Sequence, residues 1–136
     1  MTTQTATERL QKVGLRPTRQ RLAMAEILFG SDERHVTAEE LHAEAIAARV
    51  PVSLATVYNT LNQFTQAGLL REVAIVSHRT YFDTRTSNYF HYYIEGEELL
   101  LDIATADLAV TGLPQVPAGT RISRIDVVVR LKQVQV

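Results

Sequence analysis

The chain has 136 residues, 46% of them hydrophobic, and a formal net charge of −1 at pH 7. This length predicts one or two small domains, and the hydrophobic fraction is typical of a packed core rather than of disorder. The chain has no cysteine, which excludes disulfides and thiolate-ligated metal sites. It shows no secretory leader and no apolar run long enough for a membrane span, so we expect a cytoplasmic protein.

An arginine-rich stretch follows a short polar leader. Residues 8–13 predict a helix that ends at Gly14, and Pro17 suits the first turn of a second helix that extends to about Phe29. A run of basic residues without an acidic one lies here: Arg9, Lys12, Arg16, Arg19 and Arg21. A local positive patch of this kind is typical of phosphate contacts, and an ordinary solvated basic surface is the alternative.

A third helix is predicted to begin after Thr37. The sequence TAEE at residues 37–40 is typical of a capping box, in which the Thr37 side chain and the Glu40 side chain each accept from the other residue's amide. The side of this helix that we expect to face inward consists of Leu41, Ala45 and Ala48.

Residues 51–70 predict the helix with the clearest functional pattern. Ser53 stands where an N-cap belongs, and Gly68 stands where a left-handed residue ends a helix. Apolar residues recur between them at helical spacing, at Leu54, Val57, Leu61 and Phe64. The opposite side is predicted to face outward and contains Ala55, Asn59, Asn62, Gln63 and Gln66, with Thr56 and Tyr58 on its flanks.

This outward side has no charge, since no charged residue occurs in residues 52–70. Asparagine and glutamine can pair with adenine in a DNA major groove, and methyl groups can contact thymine. The pattern therefore favours a DNA-reading helix, and a solvated polar face on an ordinary helix is the alternative.

Two strands are predicted after this helix, at residues 71–76 and 79–83, and a helix followed by a β-hairpin is typical of a winged helix-turn-helix. The remainder predicts strands at 89–95, 99–103 and 121–134, with a short helix near 106–112. Three strands and one short helix do not bury both faces of a sheet by themselves. This part of the chain is therefore expected to associate with another chain.

Four segments in this order resemble the ferric uptake regulator family, and most closely its iron response regulator branch. They are LRPTRQR at 15–21, HVTAEEL at 35–41, VPVSLATVYNTLNQFTQAGLL at 50–70 and YFD at 81–83. The resemblance implies an α+β fold with an N-terminal winged helix-turn-helix, residues 1–84, followed by a small α/β dimerisation domain, residues 85–136. The extension of a sheet across two subunits is also taken from this resemblance.

The function implied is that of a homodimeric transcriptional regulator of iron or haem metabolism, such as a repressor, which binds a pseudo-palindromic operator in double-stranded DNA. No nucleophile elbow, phosphate loop or HExxH motif appears, and we expect no enzyme. The alternative function is a winged-helix protein-interaction module without ligand sensing. The sequence does not determine whether the regulator represses or activates transcription, or which operator sequence it binds.

The resemblance and the pattern together assign the DNA contacts. Base contacts are expected from Ala55, Thr56, Tyr58 and Asn59, with Ser53 beside them, and phosphate or minor-groove contacts from Arg16, Arg19 and Arg21. Asn59 stands where the broader family has arginine and the iron response branch has asparagine, and asparagine suits adenine.

The effector site departs from the family pattern. His35 and Asp83 match an early histidine and a carboxylate of the family's metal site, but the histidine run is SNYFHYY here, with only His91 left. The expected effectors are a divalent metal (Fe, Mn or Zn) at His35, Asp83 and His91, or haem at His91 or a neighbouring tyrosine. The family's structural zinc needs two CxxC pairs, which are absent. A cap or interface role for His35 and an ordinary strand position for His91 are the alternatives.

Overall fold

The computed structural model describes residues 4–75, 78–86 and 90–135. The chain divides into two compact units, Met1–Val73 with His78–Thr86, and Ala74–Ser77 with Ser87–Val136. The first unit contains the helices α1 (Ala6–Lys12), α2 (Arg19–Phe29), α3 (Ala38–Ala47) and α4 (Leu54–Gln66). The described part of the chain contains no helix that is both long and apolar enough to cross a membrane.

A small antiparallel sheet completes the first unit. Its strands are β1 (His35–Thr37), β2 (Arg71–Glu72) and β3 (Tyr81–Asp83), in the order β1-β3-β2. The hairpin between β2 and β3 is shorter than predicted: β2 ends at Glu72, and one further hydrogen bond runs from the amide of Val73 to the carbonyl of Tyr81 at 2.8 Å. Val76 and Ser77 lie outside the described residues. β1 was not predicted, since a three-residue strand has too little pattern of its own and exists through its partner β3.

The core of the first unit lies between the helices. Val57, Leu61 and Phe64 of α4 are fully buried, and they pack with buried residues of the other elements: Leu10, Met24, Leu28, Leu41 and Phe82. Two predictions of buried core residues are wrong. Leu54 is 36% exposed because it occupies the first turn of α4, and Ala48 is exposed because it caps α3 instead of continuing it.

Local signals at the helix ends are confirmed. Thr37 and Glu40 form the capping box of α3. The Ser53 hydroxyl accepts from the amide of Thr56 at 3.1 Å, and Gly68 ends the segment with φ of 86°, a conformation that costs other residues energy.

The second unit is a three-stranded sheet. β4 (Phe90–Ile94) pairs antiparallel with β5 (Leu99–Ile103) as predicted, and β6 (Val127–Leu131) pairs parallel with β4, giving the order β5-β4-β6. The final strand is shorter than the predicted 121–134, since only residues that reach β4 join the ladder. The predicted helix near 106–112 is wrong: the segment has a single 3₁₀ turn, Thr105–Asp107, and residues 109–122 are exposed. The α+β fold class is confirmed.

Candidate nucleic-acid interface

The outward face of α4 is built as the sequence predicts. Ser53 caps the helix and also donates its hydroxyl to Oγ1 of Thr56 at 3.0 Å, which fixes the Thr56 side chain at the start of the helix. Ala55 and Asn59 are exposed one turn apart, and Asn62, Gln63 and Gln66 continue the polar face. A neutral row of amides and small groups therefore stands on the surface of the first unit.

Arginines from α2 and the segment before it border this face. Arg16 and Arg19 are exposed, whereas Arg21 is half-buried. The guanidinium of Arg21 donates to Oε1 of Gln63 from Nε at 3.3 Å and from Nη2 at 3.1 Å, and Nη1 donates to the carbonyl of Arg16 at 3.0 Å. Arg21 is thus held against α4.

These side chains form a continuous open groove between the N-terminal end of α2 and α4. Its lining consists of Arg16, Thr18, Gln20, Arg21, Thr56, Asn59, Thr60 and Gln63. Two of the predicted contact residues on α4, Thr56 and Asn59, therefore share one concave surface with Arg16 and Arg21, whereas the other predicted contacts lie outside its lining. Gln63 was not among the predicted contacts, although its place on the outward face was predicted.

Tyr58 lies on the flank of this face and has a partner that the sequence does not reveal. Its hydroxyl donates to Oε1 of Glu39 in the first turn of α3, at 2.7 Å. This hydrogen bond raises the pKa of Tyr58 and lowers the pKa of Glu39 below its ordinary value. No local sequence pattern predicts this contact, because Tyr58 and Glu39 are 19 positions apart.

His35 and Asp83 meet within the first unit. They are register partners on β1 and β3, each offers a ligand atom, and these atoms lie within 4.8 Å of each other. The ring of His35 also meets that of Tyr81 edge to face, with 6.2 Å between centroids. The two predicted donors of the first unit are thus brought together.

Asp83 already has a cationic partner. Its side chain is fully buried, and both carboxylate oxygens accept from Arg85, Oδ1 from Nε and Oδ2 from Nη2, each at 3.0 Å. The amide of Arg85 adds a third bond to Oδ1 at 2.9 Å. Arg71 faces Asp83 from β2 and is buried as well. The sequence analysis did not predict a role for Arg85. Its position two residues after Asp83, a predicted metal ligand, could have indicated one.

His91 belongs to the second unit. It lies on β4, is 1% exposed, and its Nε2 lies 3.4 Å from Oδ1 of Asp102, its register partner on β5. Tyr93 is buried on the same strand and Tyr92 is exposed. Tyr89, the first tyrosine of the altered run, lies outside the described residues.

Two regulators are similar to this chain in sequence over about two thirds of its length. A ferric uptake regulation protein from Bordetella parapertussis is 35% identical over 85 residues, 62% of this chain and 61% of that protein. The peroxide operon regulator of Bacillus subtilis is 36% identical over 98 residues, 71% of this chain and 66% of that protein. The alignments therefore span about two thirds of these relatives or less.

A solved structure shows the same architecture. The ferric uptake regulator from Pseudomonas aeruginosa, determined with manganese, superposes with a TM-score of 0.76 over 97% of this chain and 100% of that chain, at 20% identity. At this identity the likeness establishes the fold. The sequence model of the Ferric uptake regulator family matches residues 12–102, two thirds of the chain. The chain is therefore a member of the ferric uptake regulator family.

Proposed function

We propose that this chain is a transcriptional regulator that binds double-stranded DNA through α4 and the groove beside it. The observation that carries the proposal is the charge-free outward face of α4, with Arg21 fixed against Gln63 and two further arginines exposed nearby. Both similar proteins are named as regulators, one of ferric uptake and one of the peroxide operon. The chain would act in the cytoplasm.

The residues divide into two roles. Phosphate contacts fix the position of a protein on DNA and base contacts select the sequence. Arg16 and Arg19 are exposed cations suited to phosphates. Asn59 is exposed and has the amide that pairs with adenine, and the methyl groups of Ala55 and Thr56 suit thymine. Ser53 supports these base contacts indirectly, because it caps α4 and its hydroxyl donates a hydrogen bond to the Thr56 side chain.

A homodimer on a pseudo-palindromic operator is part of the proposal. A two-fold dimer presents two recognition helices to two half-sites. The second unit favours association, because its three-stranded sheet leaves Tyr92, Leu99 and Leu101 exposed. The bounds 1–84 for the DNA-binding domain and 85–136 for the dimerisation domain belong to this proposal.

A divalent metal is the effector that the donor set of the first unit favours. An imidazole and a carboxylate within 4.8 Å suit Mn²⁺, Fe²⁺ or Zn²⁺, and His35 and Asp83 would hold the ion. His91, the third donor expected from the sequence, belongs to the second unit and stays a prediction. A bound ion would supply positive charge to the Asp83 carboxylate. Arg85 already supplies charge to both oxygens, so an ion has to share or displace that guanidinium.

The finer assignment to iron or haem metabolism, within the iron response branch, rests on Asn59 and on the family segments of the sequence. Haem at His91 gains no support from the structure, since this side chain is 1% exposed and lies beside Asp102. A metal is therefore the first effector to test.

The decisive experiment is selection of binding sites from a random DNA pool, followed by gel-shift and salt titration. The unchanged chain is expected to enrich a pseudo-palindromic site. Asn59→Ala should lose preference at one base pair in each half-site, whereas Arg19→Ala should weaken all sequences and reduce the salt slope by about one. If no sequence is enriched, the alternative of a protein-interaction module replaces the proposal.

A further inference from the structure

Glu39 brings a carboxylate to a helix that has no charge of its own. It lies in the first turn of α3, is exposed, and accepts the hydroxyl of Tyr58 at 2.7 Å. Tyr58 stands next to Asn59 on α4, at the edge of the face proposed to read DNA. The two side chains therefore form one polar pair, here called the Tyr58–Glu39 pair.

The direction of the hydrogen bond decides what this pair can offer to a ligand. A tyrosine hydroxyl has one hydrogen, and in this pair the hydrogen is directed to Glu39. The phenol oxygen is left with lone pairs only, and an ionised carboxylate also has only lone pairs. The Tyr58–Glu39 pair consequently presents acceptors and no donor.

Charge compensation makes such a pair compatible with DNA. A carboxylate alone would repel phosphates, but Arg79, from the segment that leads into β3, is close enough for its charge to lower the pKa of Glu39 further, after the hydrogen bond from Tyr58. Glu39 therefore stays ionised at neutral pH with a cation nearby, and the negative charge is local.

We propose that Glu39 is a specificity-determining residue, and that the Tyr58–Glu39 pair selects a base with an exocyclic amino group in the major groove. Adenine N6 and cytosine N4 are donors there, whereas guanine O6 and N7 and thymine O4 are acceptors that the pair would repel. Cytosine fits best, because adenine adds the acceptor N7 beside its amino group. The inference rests on the proposed DNA-binding function and deepens it.

The experiment compares binding-site selection by the unchanged chain, Glu39→Gln, Glu39→Ala and Tyr58→Phe. The unchanged chain is expected to prefer cytosine or adenine at one position of each half-site by about tenfold over guanine or thymine. All three variants should reduce this preference to less than about threefold, and Glu39→Gln, which gains a donor, should shift it towards guanine or thymine. Preferences at other positions should not change.

Glu26→Gln is the matched control, since it removes one exposed negative charge from α2 of the same unit. It should leave the preference intact. Thermal unfolding of each variant shows whether the fold is retained, and Glu39→Gln, the isosteric change, decides the matter if Glu39→Ala unfolds.

Two results would overturn the inference. One is a Glu39→Gln chain that keeps the full preference at every position or weakens all sequences equally. The other is a Tyr58→Phe chain that keeps the base preference which Glu39→Ala loses, because the Tyr58 hydroxyl would then have no part in base selection. Failure of the unchanged chain to select any sequence would instead remove the proposed function itself, and this inference with it.

Discussion

At the scale of single residues, Arg85 competes with any cation for the carboxylate of Asp83. The guanidinium binds both oxygens at 3.0 Å in a fork geometry, and neither side chain is more than 9% exposed. A buried carboxylate needs a countercharge, and here the chain provides it. In the proposed metal site, the same contact would weaken binding of an ion by His35 and Asp83.

The first prediction follows from this competition. Arg85→Ala should bind Mn²⁺ more tightly than the unchanged chain by about tenfold, or about 1.4 kcal/mol, because the ion no longer competes with a guanidinium for the Asp83 carboxylate. Without metal, the variant should lose about 3 kcal/mol of unfolding free energy, because a buried carboxylate loses its partner. Calorimetric titration with Mn²⁺ and urea unfolding measure the two effects.

The double variant Asp83→Asn with Arg85→Gln is the control, because it removes both charges and leaves polar groups in place. It should bind Mn²⁺ no better than the unchanged chain and lose less stability than Arg85→Ala. Equal Mn²⁺ affinity in the unchanged chain and in Arg85→Ala would contradict the competition. Binding by none of the three would argue against a metal effector at this site.

At the scale of elements, an ion pair ties the entry to β1 to helix α3. Arg34 donates from Nη1 and Nη2 to the two carboxylate oxygens of Glu44, at 2.7 and 2.6 Å. This hydrogen bonding lowers the pKa of Glu44 and raises the pKa of Arg34. Both side chains are partly exposed, so water screens the pair and its contribution to stability is modest.

The second prediction concerns the pH dependence of this pair. A lowered pKa in the folded state means that the contribution of Glu44 is fully present above its unfolded pKa and is lost as the pH falls through the folded value. At pH 7 we expect Glu44→Gln to lower the unfolding free energy by about 0.5 kcal/mol. Towards pH 3 the difference should shrink, since the carboxyl is then largely protonated in the unfolded chain and becomes protonated in the folded chain as well.

Urea unfolding at both pH values measures the difference, with Glu26→Gln as an exposed glutamate control. A loss that is equal at pH 7 and near pH 3 would show that the substitution acts through packing rather than through charge. The raised pKa of Arg34 adds no pH dependence between pH 3 and pH 7, because its contribution is lost only in strongly alkaline solution.

The elements also show what the sequence can predict. Helix α4, its cap Ser53 and its end at Gly68 were predictable because each depends on neighbours within about one turn. β1 was not, because its existence depends on β3, far along the chain. The partners Glu39 and Arg85 were missed for a related reason. A hydrogen bond between side chains on different elements leaves no periodic pattern, even where each residue is conspicuous alone.

At the scale of the whole molecule, the proposed function depends on two copies of the chain acting together. Leu101 is 41% exposed on β5, and its register partner Tyr92 on β4 is 38% exposed. Residues paired in this way lie on the same side of a sheet, and Leu99, two positions earlier on β5, shares that side. This apolar face is the surface of the second unit that a dimer would cover.

The last prediction places a charge on that face. Leu101→Asp should shift the chain from dimer to monomer, because a carboxylate in an apolar interface is left without a partner. Affinity for a full operator should fall at least tenfold, since two linked recognition helices gain from binding at adjacent half-sites, while affinity for a single half-site should not change. Sedimentation velocity and gel-shift with full and half operators measure both effects. Leu101→Met is the apolar control and should remain dimeric; a Leu101→Asp chain that sediments as a dimer and binds the full operator normally would show that another surface joins the two copies.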